Sequence, residues 1–224
     1  MKKYFVIDFD STVTNVEALD LLGEISLSNS SERDDRLNKI KQITDQGMDG
    51  GMSFRDSLEQ RLKLLEAKKE HLDQLVPKLK ERVSKSFHRN EAFFRNHADH
   101  IYILSNGFKE FIVPIVTEYG VKPDHVYANT FEYDNSNNIV GFDQDNLLSR
   151  NNGKAKQIEQ LALEGEVSVI GDGYTDYEIK EAGLANKFYA FTENVARDKV
   201  LQKADHVAPS LDEVLYVNKM NTAI

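Results

Sequence analysis

Asp8-Phe9-Asp10-Ser11-Thr12 directly follows the apolar run Tyr4-Phe5-Val6-Ile7, and this junction decides the fold. The apolar run reads as a short buried strand, with the acidic loop at its carboxyl end. Carboxylates two residues apart at a strand end point to one side and repel each other unless a cation sits between them. Two further runs repeat the pattern. Ile101-Tyr102-Ile103-Leu104 leads into Ser105-Asn106-Gly107, and Val167-Ser168-Val169-Ile170 leads into Gly171-Asp172-Gly173-Tyr174-Thr175-Asp176. If the three strands are parallel neighbours, their loops meet at one sheet edge, where open α/β folds place their ligands. Two pairs of carboxylates, a hydroxyl and backbone amides gathered there suit Mg²⁺ and phosphate.

Composition narrows the class. A chain of 224 residues suffices for one well-filled core, or for a core with a smaller appendage. Hydrophobic residues make up 40% and charged residues 29%, as in an ordinary globular protein. With no cysteine there are no disulfides, thiolate metal ligands or cysteine nucleophiles. The net charge of −9 disfavours a nucleic-acid or anionic-membrane partner, so an anionic substrate needs a local pocket of cations. Only four apolar residues separate Met1-Lys2-Lys3 from Asp8, too few for a signal-peptide core, and no run could span a bilayer. A cytoplasmic protein is expected. Nothing in the chain speaks to its oligomeric state.

From about Thr14 to Asn90 the pattern is helical and rich in charge, interrupted at Gly47, Gly50-Gly51 and Pro77. This predicts a helical cap, residues 14–90, inserted into an α/β core made of 1–13 and 91–224. From Ile101 onward strands and helices alternate, as a parallel sheet with helical crossovers requires. Within about 125–145, Val126 to Tyr133 and Ile139 to Phe142 flank the polar turn Asp134-Asn135-Ser136-Asn137-Asn138, which predicts a β-hairpin arm. The whole reads as a Rossmann-like parallel sheet flanked by helices, with a helical-bundle cap and a hairpin arm. His88, His97 and His100, with Asp99, lie in a polar stretch before a strand and read as surface residues rather than a metal site.

In order and spacing the three motifs resemble those of the haloacid dehalogenase superfamily of aspartate-dependent phosphotransferases, and within it the phosphoserine phosphatases. The resemblance extends over nearly the whole chain, cap and hairpin included. It implies a phosphatase of serine biosynthesis that hydrolyses O-phospho-L-serine through a phosphoaspartyl intermediate. Asp8 matches the nucleophile and Asp10 the general acid and base. Asp8, the Asp10 main-chain carbonyl and Asp172 match the Mg²⁺ ligands, with Asp176 behind them orienting a metal water or a lysine. Ser105 matches the phosphate-binding hydroxyl, and the amides of Asn106 and Gly107 add donors at a helix start. Asn106 stands where typical relatives have glycine, and Thr175, facing the cleft, where many have asparagine. The phosphate clamp is completed by a lysine. Spacing alone leaves Lys154 and Lys156 both open, and alignment with the family places it at Lys154.

The cap carries an anomaly. At about 100° per residue, Phe54, Leu58, Leu62 and Leu65 form an apolar stripe, and Arg61 falls in the middle of it. A guanidinium on such a face needs an anion. That anion is either an internal salt-bridge partner or a substrate carboxylate, for which the planar fork of arginine is well shaped. Phe54 and Arg61 fall on the cap phenylalanine and arginine of the phosphoserine phosphatases, which implies the second. Glu17 matches the family glutamate for the substrate ammonium, although Thr14-Asn15-Val16-Glu17 also fits a helix capping box. Two rival functions share these residues. One is transfer of the phosphoryl group to another alcohol such as homoserine, or action on a different small phosphate ester. The other is a non-catalytic protein that binds a phosphorylated metabolite, in which a nucleophile with its own acid would have no purpose.

Overall fold

In the computed structural model, which describes residues 1–48 and 51–222, the three apolar runs are adjacent strands. Eight strands are formed among the described residues: β1 (Lys3–Ile7), β2 (Ile101–Phe108), β3 (Val126–Asn129), β4 (Phe131–Tyr133), β5 (Ile139–Phe142), β6 (Glu166–Gly171), β7 (Lys187–Phe191) and β8 (His206–Ala208). Six of them make a parallel sheet in the order β3-β2-β1-β6-β7-β8. Ile7 pairs with Ile103 on one side and Ile170 on the other, so the three motifs leave the sheet in register. The chain winds outward from β1 through β2 and β3, then returns to build outward through β6. A crevice opens where that direction reverses.

Alternation along β1 supplies both layers of the core. Phe5 and Ile7 face one side, against α5 (Lys85–Arg89), α6 (Glu91–Asn96), α7 (Lys109–Val116) and α11 (Leu211–Val217). Tyr4 and Val6 face the other, with Ile158 of α8 (Gly153–Leu161), Ile179 of α9 (Tyr174–Glu181) and Val200 of α10 (Asp198–Leu201). Edge-on rings of Phe93 and Phe5, and of Phe87 and Phe191, lock α5 and α6 to the sheet.

Between β1 and α5 lie α1 (Ala18–Ser26), α2 (Arg33–Met48), α3 (Phe54–Leu65) and α4 (Lys69–Lys80), packed on one another. The chain enters this bundle at Thr14 and leaves at Val83, which form an antiparallel bridge. Asn15 N–H donates to Arg82 O at 2.8 Å and Ser84 N–H to Val13 O at 2.8 Å. The bundle is also tied to the hairpin: Ile139 N–H donates to Ala67 O at 2.9 Å and Lys69 N–H to Asn137 O at 3.0 Å.

Several local expectations are corrected. The run from Val126 to Tyr133 is not one hairpin strand, because its first half is β3 of the main sheet and only β4 pairs with β5. Pro77 does not interrupt the helical pattern but sits inside α4. It is exposed, as is Asp73 four residues earlier, so the carbonyl that loses its helical partner can bond water. Gly47 lies within α2, where an added Cβ would come within 2.8 Å of Ser57 Oγ, so glycine serves close approach of α2 and α3 rather than a break. Gly50 lies outside the described residues, and Gly51 is in a bend ahead of α3.

Candidate active site

Asp8 leaves β1 with its N–H bonded to Ile170 O at 2.9 Å, and the next five residues form one wide turn closed by Thr14 N–H to Phe9 O at 3.0 Å. Ser11 takes a left-handed conformation inside it, φ 55°. That reversal turns Asp10 back toward α1, where its Oδ1 accepts the Ala18 N–H at 2.8 Å. The capping box that Thr14 to Glu17 would also fit is therefore not formed. Thr14 belongs to the bridge with Val83, α1 starts at Ala18, and Asp10 caps it.

Gly171 and Gly173 flank Asp172, and α9 begins at Tyr174 with Asp176 in its first turn. Asp176 folds back, accepting the Gly173 N–H on Oδ2 at 3.1 Å and Lys154 Nζ on Oδ1 at 2.7 Å. Lys154 lies in the first turn of α8, is 2% exposed, and also reaches Asp8 Oδ1 at 2.8 Å. Lys156 is exposed and lines a different groove. Carboxylate oxygens of Asp8, Asp172 and Asp176 lie within 4.8 Å of one another. No other group of three or more acidic or imidazole side chains among the described residues comes together in this way, and the histidines before β2 form none.

The register of β2 against β3 shifts between Leu104 and Phe108, so Ser105-Asn106-Gly107 bulges from the ladder toward Asp10. Ser105 is buried, and a Cβ on Gly107 would stand 3.0 Å from Asp10 Oδ2 and 3.1 Å from Ser105 Oγ. A side chain there would need Asp10 or Ser105 to give by a few tenths of an ångström. The Gly107 amide differs from expectation: it donates to Ser105 Oγ at 2.9 Å, and α7 starts only at Lys109. The Asn106 side chain is spent in the scaffold, donating to Leu148 O at 2.8 Å.

A cavity of about 300 Å³ joins these loops to the helical bundle. Asp8, Asp10, Ser105, Asn106, Lys154 and Thr175 line one side, and Thr44, Phe54, Ser57 and Arg61 the other. Ser53 caps α3 by accepting the Asp56 N–H at 3.1 Å. Arg61 is 5% exposed, and among the described residues no carboxylate lies within 4.0 Å of its guanidinium. Its bonds are long ones to Ser57 O and Thr44 Oγ1, both 3.4 Å. Glu17 does not line this cavity. It accepts Ser11 Oγ at 2.7 Å and lies 4.0 Å from Arg197.

Sequence reasoning missed Arg197, which donates from Nε to Asp172 Oδ2 at 3.0 Å. It also missed Asn194, whose amide donates to Ser84 Oγ at 2.7 Å and faces Ser11 O, Thr12 O and Thr14 O at 3.1–3.3 Å. Both follow β7 in Glu193-Asn194-Val195-Ala196-Arg197, a stretch whose only signal was polarity after a strand.

The charges are unbalanced. Five carboxylates (Asp8, Asp10, Glu17, Asp172 and Asp176) share the site with three cations, Lys154, Arg61 and Arg197. Burial, then Glu17 and Asp8, raise the Asp10 carboxyl well above its ordinary value, against the Ala18 bond and Arg61. Burial, then the Asp172 charge, push Glu17 to about 7. Asp172 rises to about 6 through burial and Asp8, against the pull of Arg197. Burial opposes the Lys154 charge, but Asp176 and Asp8 outweigh it and hold Lys154 protonated. An all-oxygen cluster with surplus negative charge fits Mg²⁺.

Residues 5–180 match the sequence model of the haloacid dehalogenase-like hydrolases. The chain is similar to a phosphoserine phosphatase of Drosophila melanogaster, 28% identical over 212 residues that cover 93% of this chain and 75% of that one. A chloroplastic phosphoserine phosphatase of Arabidopsis thaliana is 30% identical over 205 residues, covering 88% of this chain and 65% of that one. A crystal structure of a phosphoserine phosphohydrolase-like protein from Francisella tularensis superposes with a TM-score of 0.86 at 29% identity, over 96% of this chain and 99% of the other.

Proposed function

This chain belongs to the haloacid dehalogenase-like hydrolases and is a phosphoric monoester hydrolase, and we propose that its substrate is O-phospho-L-serine, cleaved to serine and phosphate through a phosphoaspartate at Asp8. The observation that carries the choice of substrate is Arg61. A buried guanidinium on a cavity wall, with no carboxylate within 4.0 Å among the described residues, is an incomplete ion pair. An ester placing phosphate at Asp8 and a carboxylate at Arg61 completes it. The names of the relatives point to the same substrate.

In the proposed reaction an Asp8 oxygen attacks phosphorus, the bond to the serine oxygen breaks, and Asp10 gives that oxygen its proton. Water then attacks the phosphoaspartate, Asp10 takes the water's proton, and phosphate leaves with Asp8 restored. Burial and neighbouring acids supply Asp10 with the proton it needs first. Lys154 and Ser105 stabilise the phosphoryl oxygens, and Asp176 fixes Lys154 by its 2.7 Å contact. Asp8, Asp172 and the Asp10 main-chain carbonyl would hold Mg²⁺, which when bound neutralises charge on the phosphoryl group. Phe54 and Thr175 shape the two sides of the cavity. Glu17 does not line the cavity that Arg61 lines, and its Oε1 already accepts the Ser11 hydroxyl, so its part in recognition is smaller than that of Arg61.

The test compares phosphate release from phosphoserine, phosphoethanolamine and phosphoglycolate by wild type and Arg61→Ala with Mg²⁺. Removing Arg61 should cost about 2–5 kcal/mol with phosphoserine, as for one partner of a buried charge pair, and far less with phosphoethanolamine, which lacks the carboxylate. Equal losses would refute the assignment. Wild-type activity on phosphoglycolate, which has no ammonium, measures what Glu17 contributes.

A further inference from the structure

Arg61 alone does not explain how its fork is aimed. Both of its hydrogen bonds among the described residues are 3.4 Å, at the weak end of the range, and one goes to a side-chain hydroxyl that can rotate. That hydroxyl, Thr44 Oγ1, belongs to a residue 3% exposed on α2, and it lies 3.0 Å from two acceptors, Asp20 Oδ1 and Ile40 O. A hydroxyl has one proton to give. A carboxylate is the stronger acceptor, so the proton goes to Asp20 and a lone pair is left for the guanidinium. Without that carboxylate the proton turns to Ile40 O, the ordinary back-bond of a helical threonine.

Resting on the reading of Arg61 as the carboxylate receptor, we propose that Asp20 is a positioning residue for substrate selection, holding Arg61 in aim through the Thr44 hydroxyl. The three residues come from the three helices α1, α2 and α3, so the relay also spans the bundle that forms one wall of the cavity. Burial works against the Arg61 charge, and Asp20 is one of three carboxylates that support it. The other two, Glu17 and Asp10, have partners of their own in Ser11 and the Ala18 amide. Asp20 lies outside the cavity that Arg61 lines and touches none of the groups that meet phosphate.

The experiment measures kcat/KM for phosphoserine and for phosphoethanolamine in wild type, Asp20→Asn, Thr44→Val, Thr44→Ser, Arg61→Ala and the double variant of Asp20 and Arg61, with a thermal unfolding curve for each. Asp20→Asn and Thr44→Val should each lower the preference for phosphoserine by about tenfold, the scale of one hydrogen bond to a charged group, mainly through KM. Thr44→Ser should restore it, and Asp20→Asn on an Arg61→Ala background should change the preference no further. Asp20→Asn with unchanged preference, or with equal losses on both esters, overturns the relay while leaving Arg61 as receptor. Arg61→Ala with wild-type preference overturns the receptor reading itself, and the relay with it. If Asp20→Asn does not fold, Thr44→Val against Thr44→Ser decides the same question.

Discussion

Gly171→Ala and Gly173→Ala should behave oppositely, although the two positions flank the same aspartate. At Gly171 an added Cβ would lie 2.2 Å from Asp176 Oδ2 and 2.8 Å from Asp176 Cβ. Ordinary contact begins near 3.4 Å, so the carboxylate would have to retreat by about 1.2 Å, the difference of the two distances. Asp176 has nowhere easy to go. It is 1% exposed and is held by Lys154 at 2.7 Å and the Gly173 amide at 3.1 Å. Overpacking of this kind costs about 1–3 kcal/mol, and loosening a buried ion pair adds toward the roughly 3–5 kcal/mol of breaking one. Taking about 3 kcal/mol, the midpoint of thermal unfolding should fall by roughly 6–12 °C in a chain of this size. Because Lys154 also contacts Asp8, a shift of about 1 Å should lower kcat by about 100-fold. At Gly173 the nearest atom to a new Cβ is 3.4 Å away and φ is −104°, so alanine there should leave the midpoint within about 2 °C. Differential scanning fluorimetry and phosphate release measure both. A Gly171→Ala protein with wild-type melting and turnover would refute the claim that Asp176 and Lys154 are rigidly placed.

Asp8→Asn should abolish turnover by about four orders of magnitude or more, and acid quenching with labelled phosphoserine should trap phosphoenzyme in wild type but none in the variant. Asn194→Ala removes the amide that joins the nucleophile turn to both bundle linkers; it should cost about 1–3 kcal/mol in urea unfolding and open the Thr14 and Val83 linkers to proteolysis. Glu110, half-buried at the start of α7, accepts the Phe131 N–H at 2.7 Å while Oε2 has no hydrogen-bond partner among the described residues, and burial raises its pKa against that bond. An acid whose folded pKa is raised contributes stability below its unfolded pKa of about 4.3 and loses it as pH rises through the folded value. Between pH 4 and pH 7 the stability difference between wild type and Glu110→Gln should therefore move in favour of glutamine. A difference independent of pH in urea titrations would show that Glu110 is not desolvated.

The three strand-and-loop junctions were legible because their signals are local. A buried strand needs consecutive apolar residues, and a reactive loop at its end needs carboxylates and glycines at short spacing. Tyr4 to Ile7, Ile101 to Leu104 and Val167 to Ile170 are neighbours in one parallel sheet, and that adjacency brings Asp8 and Ser105 to one cavity and Asp172 beside Asp8. The stripe on α3 was legible for the same reason, since helical period alone puts Arg61 among Phe54, Leu58 and Leu65. Residues that act across long separations left no such trace. Arg197 reaches Asp172 and Asn194 reaches Ser84 only because the segment after β7 crosses the end of β6, the strand between β7 and β1, to meet the nucleophile turn. The break in the apparent hairpin strand came from pairing partners, since β3 meets β2 of the main sheet and β4 meets β5. Asp10 caps α1, and the capping box that Thr14 to Glu17 also allowed does not form, because the left-handed Ser11 turns the loop, and a turn's handedness at a non-glycine residue is set by what surrounds it. Composition and period thus determined which groups this protein carries and on which elements. Packing in three dimensions decided which of those groups share a proton, a charge or a wall of the cavity, because those energies depend on distance in space and not along the chain.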